Sequence, residues 1–164
     1  MRASGILMGI SSIPSKYGIG CFSKEAYEFV DQLEKAGQQY WQILPLGPTS
    51  YGDSPYQSFS IYAGNPYFIS LETLEEEGLL KHEEYADLSW CEDPRYIDYA
   101  TMYENFYKVM RLAFGRFSKG MNGNVSAGYM AFVEENPWLE NYTLFMALKD
   151  AHGGKSWSEW EKPL

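Results

Sequence analysis

The spacing of apolar and polar residues predicts a strand, a helix and a second strand at the start of the chain. The short apolar run Ser4–Ile10 is interrupted only by glycine, which favours a strand covered on both faces. Ser23 suits the N-cap of a helix that ends near Gly37. A second buried strand is predicted over residues 39–47, QYWQILPLG. Together the three elements form a βαβ unit, whose strands are parallel.

Helical periodicity replaces this pattern from residue 71 onward. We expect short helices around Gly78, a short helix over residues 129–136 and another helix that begins at Pro137. Segment 99–117 predicts a strong amphipathic helix with one apolar side, formed by Met102, Phe106, Val109, Met110 and Ala113. The predicted fold class is therefore α/β, with an α/β region at 1–70 and a mostly helical subdomain at 71–164.

A long loop at residues 47–66 follows the second predicted strand. Between Ala36 and Leu71 the only charged residue is Asp53, although the same segment carries eight aromatic residues. The loop lies at the carboxyl end of a parallel strand, where α/β folds place their ligands. Asp-Ser-Pro is also common turn chemistry, so Asp53 by itself fits a turn as well as a ligand site.

The amino-acid composition argues against two classes of binding partner. The formal net charge is −9, from 22 acidic and 13 basic residues, which argues against binding to nucleic acid or to an anionic membrane surface. Cys21 and Cys91 are far apart and form no metal-type pair, so reduced thiols in the cytoplasm are expected. The sequence predicts no cofactor and no metal site.

The residue types of the loop suit a sugar. Pyranose rings present an apolar C–H face that stacks on tyrosine, and their hydroxyls need polar partners. The loop offers such a set: Tyr51, Asp53, Ser54, Tyr56, Gln57 and Asn65. The alternative is that most of its aromatic residues are core, so that composition favours a sugar site only modestly over a generic apolar pocket.

Three segments carry a specific resemblance. SGILMGISSIPSKYGIG, YWQILPLGPTSYGDSPYQSFSIYAGNPYFI and YTLFMALKDAHGGKSWSEW resemble the N-terminal part of the 4-alpha-glucanotransferases, also called amylomaltases, of glycoside hydrolase family 77. The resemblance implies a (β/α)₈ TIM barrel with inserted subdomains. Such a barrel needs at least about 200 residues, so this chain is expected to be a fragment with its first two strands and a helical insertion.

The resemblance also implies an activity. The family transfers a segment of an α-1,4-glucan to the 4-hydroxyl of an acceptor glucan or glucose by a retaining double displacement. The nucleophile and the acid/base residue are expected beyond Leu164, so no catalytic residue is assigned and the isolated chain is expected to be inactive. Maltooligosaccharides and α-1,4-glucans are the expected partners.

The same resemblance gives roles to individual residues. Asp53, Ser54 and Tyr56 would line the acceptor side of the groove. Tyr51 would present a ring to the glucan, and Tyr103 would lie on the same outer surface. The alternative function is a non-catalytic glucan-binding module that uses the same loop as a surface platform.

Overall fold

A computed structural model of the chain describes residues 2–49, 53–120 and 126–160. Within these residues the main elements are β1 (Gly5–Leu7), α1 (Lys24–Lys35), β2 (Tyr40–Gln42), α2 (Leu71–Glu76), α3 (Tyr99–Gly120), α4 (Ala127–Glu135) and α5 (Trp138–Ala151). Short 3-10 helices occur at Ile10–Ser12, Pro66–Phe68, His82–Glu84 and Trp157–Glu159.

The two strands form the predicted βαβ unit. β1 pairs with β2 in parallel, with Gly5 opposite Tyr40 and Leu7 opposite Gln42, and α1 connects them. The indole N–H of Trp41 donates to the carbonyl of Met8 at 2.8 Å, which ties the end of β1 to β2. Both strands therefore have their carboxyl ends at the same edge of the sheet. The loop 47–66 follows β2 beyond that edge.

The prediction that both strands are buried is wrong for the described residues. All three residues of β1 are exposed, and Leu7 retains 61% of its surface. Tyr40 of β2 is also exposed. The physical reason is that the described sheet has two strands, so no neighbouring strand covers its edges, and α1 packs on β2 through the contact of Phe29 with Trp41.

α1 begins after Ser23, as the sequence predicts. The backbone of Ser23 is extended, but its hydroxyl donates to the carboxylate of Glu25 at 2.5 Å and does not accept a backbone N–H as a capping side chain would. This hydrogen bond is the main reason that the pKa of Glu25 is lowered. Ala26 is the buried residue of the helix and packs with Ile10 and Ile13.

α3 supplies four of the ten buried residues in the main hydrophobic cluster of the first part of the chain. The predicted apolar side is confirmed, since Met102, Phe106, Val109 and Ala113 are all buried. The loop after β1 approaches this helix closely at Gly18, where φ is +82° and an added Cβ would lie 2.7 Å from the sulfur of Met102. Along the described chain, no helix is both long enough and apolar enough to cross a membrane.

The chain forms two compact units, Met1–Asn122 and Gly123–Leu164. In the second unit α4 and α5 contain no buried residue. Its ring contacts include Trp138 with Tyr142 at 5.8 Å and the stacked pair His152 and Trp160 at 4.8 Å. The division at residue 70 into barrel and insertion concerns the whole protein and stays a prediction.

Candidate functional site

The loop 47–66 is closed at its base. The backbone N–H of Asn65 donates to the carbonyl of Leu46 at 2.7 Å, so the residues on either side of the loop meet. Asn65 is buried, and its side-chain oxygen accepts the N–H of Tyr67 at 3.0 Å as the cap of the 3-10 helix Pro66–Phe68. Asn65 therefore fixes the end of the loop, and its direct contact with a ligand stays a prediction.

A second set of contacts holds the descending half of the loop. The hydroxyl of Ser58 donates to the carbonyl of Ser60 at 2.7 Å, and the hydroxyl of Ser60 accepts the N–H of Ala63 at 3.0 Å. Gly47 packs directly on this segment, because an added Cβ would lie 2.7 Å from the hydroxyl of Ser58. These intramolecular hydrogen bonds hold this segment in place, which lowers the entropic cost of binding a ligand.

The tip of the loop presents the predicted polar residues. Tyr56 is 73% exposed, and Asp53 and Gln57 are also exposed. Ser54 shapes the turn: its hydroxyl accepts the N–H of Tyr56 at 3.3 Å, and its carbonyl accepts the N–H of Gln57 at 3.1 Å. The prediction for Tyr51 lies outside the described residues.

Asp53 has a positive φ angle, and its carboxyl group has a raised pKa. Its φ is +54°, and it is the one non-glycine residue with positive φ in the described chain. Asp tolerates this left-handed region better than most residues, and such conformations occur often at functional sites. The residue is exposed, but partial burial of its carboxyl raises the pKa, with no cation to offset the effect.

Four tyrosines whose rings lie close together are called the tyrosine cluster: Tyr67, Tyr99, Tyr103 and Tyr107. Tyr99, Tyr103 and Tyr107 are spaced four residues apart on one face of α3. The ring of Tyr67 lies 6.4 Å from that of Tyr99 and 6.1 Å from that of Tyr107, and the rings of Tyr103 and Tyr107 are 5.1 Å apart. The predicted residue Tyr103 is 49% exposed on this face.

The charge of Asp53 contributes to the raised pKa of two members of the cluster, Tyr67 and Tyr99. Burial raises the pKa of Tyr99, and the charge of Asp53 raises it further. The pKa of Tyr67 is raised mainly by burial, then by the neighbouring phenols of Tyr107 and Tyr103 and by Asp53. The sequence analysis did not single out Tyr67, Tyr99 and Tyr107 as site residues.

The position of Tyr99 is fixed by the start of α3. The carboxylate of Asp98 accepts the backbone N–H of Thr101 at 3.1 Å and its hydroxyl at 2.6 Å, which caps the helix directly before Tyr99. The spacing of tyrosines at 99, 103 and 107 is visible in the sequence, and it could have indicated that the three side chains share one face of the helix. The approach of Tyr67 to them has no counterpart in the sequence pattern.

The described residues of this site have the chemistry to bind a ligand and lack the pair of carboxyl groups that glycoside cleavage requires. The site presents tyrosine rings, hydroxyls, an amide and one carboxylate, and glycoside chemistry requires two carboxyl groups that flank the scissile bond. Residues 2–49, 53–120 and 126–160 contain no group of three or more His, Cys, Asp or Glu side chains able to hold a metal ion.

A βαβ unit with an aromatic, nearly uncharged loop at its carboxyl edge defines a protein of the α/β class, with a candidate ligand-binding loop at that edge. The particular family follows from comparison. The model of the glycoside hydrolase family 77 4-alpha-glucanotransferases matches residues 8–164, so this chain belongs to that family.

Individual relatives support this membership. The chain is 50% identical over 158 residues to a 4-alpha-glucanotransferase of Clostridium butyricum, covering 96% of this chain and 32% of the relative. It is 44% identical over 168 residues to the Thermus thermophilus enzyme, covering 99% and 32%. The chain thus spans about a third of the length of the curated relatives it matches.

A solved structure agrees in fold. The amylomaltase from Streptococcus agalactiae in complex with acarbose superposes with a TM-score of 0.92 at 42% identity, covering 99% of this chain and 32% of that chain. The described residues therefore have the fold of the corresponding third of an amylomaltase.

Proposed function

We propose that the whole protein is a 4-alpha-glucanotransferase in which this chain supplies the first two strands of a (β/α)₈ barrel and part of the acceptor-binding surface. The observation that carries the proposal is the loop 47–66, whose base is closed by the hydrogen bond from Asn65 to Leu46 and whose described residues include an exposed tyrosine and a single carboxylate, in a chain of family 77. A cytoplasmic location is part of the proposal.

The reaction would proceed with retention. An enzyme carboxylate attacks the anomeric carbon of the donor, and a second carboxyl group protonates the departing glycosidic oxygen. The 4-hydroxyl of the acceptor then loses its proton to that second group and attacks the anomeric carbon, which releases the enzyme carboxylate. Neither carboxylate is assigned to the residues of this chain.

The contribution of this chain would be to hold the acceptor. The ring of Tyr56 would stack on a glucose unit, while Asp53, Ser54 and Gln57 would bind its hydroxyls. Tyr103, together with Tyr51, would extend the contact along an outer surface. A neutral ligand fits this arrangement, because the segment 36–80 contains no Lys or Arg to recognise an anion.

The test uses maltotriose as both donor and acceptor. The protein expressed from its whole open reading frame should release glucose and form longer maltooligosaccharides, whereas residues 1–164 alone should do neither. Absence of both products with the whole open reading frame would contradict the proposed activity. Glucose release by residues 1–164 alone would contradict the placement of the catalytic groups.

The binding-module alternative has its own outcome. It predicts saturable binding of maltooligosaccharides by residues 1–164 that is lost in Tyr56→Ala, without any transfer by the whole open reading frame. Tyr27→Ala is a matched control, since Tyr27 is equally exposed at 73% but lies on α1.

A further inference from the structure

Ser58 is the residue at which the descending half of the loop returns to the segment that follows β2. Tyr56 and Gln57 are exposed, whereas Ser58, directly after them, is half-buried. A Cβ added at Gly47 would lie 2.7 Å from the hydroxyl of Ser58 and 3.1 Å from its Cβ. Ser58 therefore packs on the backbone of Gly47, where a glycine leaves room that a larger residue would fill.

The hydroxyl of Ser58 is engaged within its own loop. It donates to the carbonyl of Ser60 at 2.7 Å and accepts the N–H of Ser60 at 3.3 Å. A serine hydroxyl has a single proton, so this geometry leaves none to donate to a ligand. The hydroxyl of Ser58 therefore serves the conformation of the loop and not direct recognition.

The exposed pair Tyr56 and Gln57 is held from both sides. On one side Ser54 accepts the N–H of Tyr56 at 3.3 Å through its hydroxyl and the N–H of Gln57 at 3.1 Å through its carbonyl. These bonds are local to the turn, so they shape it without relating it to the strands. On the other side Ser58 packs on Gly47 and ties the pair to the segment that follows β2.

We propose that Ser58, packed on Gly47, is a positioning residue that orients Tyr56 and Gln57 for a ligand without touching that ligand. Side chains at a binding site keep a productive geometry only when the residues behind them lock their conformation. The identity of the ligand as an acceptor glucan or glucose rests on the proposed function. The contact between Ser58 and Gly47 does not rest on it.

The kinetic test uses Ser58→Ala in the protein expressed from its whole open reading frame. The KM for glucose as acceptor should rise by roughly 3- to 10-fold, the range for a lost hydrogen bond, with kcat nearly unchanged. Ser70→Ala is the matched control, because the hydroxyl of Ser70 accepts the N–H of Thr73 at 3.2 Å as the cap of α2, outside the loop. The control should keep the KM of the wild type. An unchanged KM in active Ser58→Ala would overturn the positioning role and leave the proposed function standing.

A double-mutant cycle separates positioning from direct contact. If Ser58 acts through Tyr56 and Gln57, Ser58→Ala should leave the KM unchanged in a background that already carries Tyr56→Ala and Gln57→Ala. In that background no side chain remains to be oriented, so the substitutions are not additive. An equal rise in KM in both backgrounds would mean that Ser58 binds the ligand itself or acts elsewhere, and it would overturn the proposal.

The positioning role and the proposed function can fail separately. If the whole protein lacks transfer activity, the proposed function fails, and the Kd for maltotriose, measured by isothermal titration calorimetry, replaces the KM in the same variants. A Kd that rises in Ser58→Ala, but not when Tyr56 and Gln57 are already alanine, supports the positioning role. A Kd equal to that of the wild type, or no binding of maltotriose at all, overturns it.

Discussion

At the scale of single residues, the loop 47–66 combines a strained tip with a firmly held base. Asp53 adopts positive φ, whereas Asn65 is buried and bonded through both its backbone and its side chain. The exposure of Asp53 and Gln57 at the tip was predictable from residue types alone. The role of Asn65 in holding the base of the loop was not predictable, because an Asn before Pro fits a turn, a helix cap or a ligand contact equally well.

Gly47 offers a direct test of how tightly the base is packed. Gly47→Ala should lower the free energy of unfolding by about 1–3 kcal/mol, because its Cβ would approach the Ser58 hydroxyl to 2.7 Å and displace that segment. Gly64→Ala is the matched control, since a Cβ there meets no atom within 4 Å. Urea unfolding followed by circular dichroism gives both values, and equal effects would show that the close approach carries no energy.

At the scale of elements, α3 links the core to the candidate site. One face of this helix buries Met102 and Phe106, and another carries the tyrosines at 99, 103 and 107. The helix was predictable because its apolar residues repeat with the helical period. Its contact with Tyr67 was not, since periodicity describes one element and says nothing about which loop packs against it.

The core side of α3 is tested by truncating one ring. Phe106 is 1% exposed, so Phe106→Ala should cost about 3–5 kcal/mol of unfolding free energy through lost burial and the cavity left behind. Phe114→Ala on the same helix should cost far less, because Phe114 is 66% exposed. Denaturant unfolding of both variants checks this, and similar losses would place the core elsewhere.

An ion pair fastens α3 to the segment before it, and its effect depends on pH. The guanidinium of Arg116 donates to both carboxylate oxygens of Glu84, at 2.6 and 2.5 Å, and lowers the pKa of Glu84 to about 2. The ordinary pKa of a glutamate is about 4.3. The stabilisation is therefore complete above the ordinary value and is lost as the pH falls toward 2.

The corresponding experiment compares wild type with Arg116→Met. The wild type should be the more stable protein at pH 6, and the difference should shrink as the pH is lowered from 5 to 2. Thermal unfolding at several pH values measures the difference. A constant difference over this range would mean that Arg116 acts through its packing or through its bond to the carbonyl of Leu79 at 2.9 Å.

At the scale of the whole molecule, the exposed strands are the main departure from the sequence pattern. The apolar run at Ser4–Ile10 was predicted to be buried, and the described residues leave Ile6 41% and Leu7 61% exposed. The pattern indicates that these residues are suited to burial. Which element covers them depends on other chain segments, so the local sequence does not contain that information.

Leu7→Lys distinguishes an exposed strand from one that is covered in the whole protein. In residues 1–164 the substitution should reduce self-association, because a charge blunts an open apolar edge. In the protein from the whole open reading frame it should destabilise, since the proposed barrel would bury the charge. Sedimentation velocity and thermal unfolding measure the two effects, and a harmless substitution in both proteins would argue against the proposed barrel.

The hydrogen bond between Asn65 and Leu46 has a consequence for how such a protein can diversify. This hydrogen bond joins the two ends of the loop. The residues between Leu46 and Asn65 therefore form a loop that is already closed at its base. Lengthening or replacing a closed loop adds little entropic cost, roughly 0.6 kcal/mol for each doubling of its length. The tip can therefore be exchanged to suit another ligand at little cost to the packing of the strands and of α1.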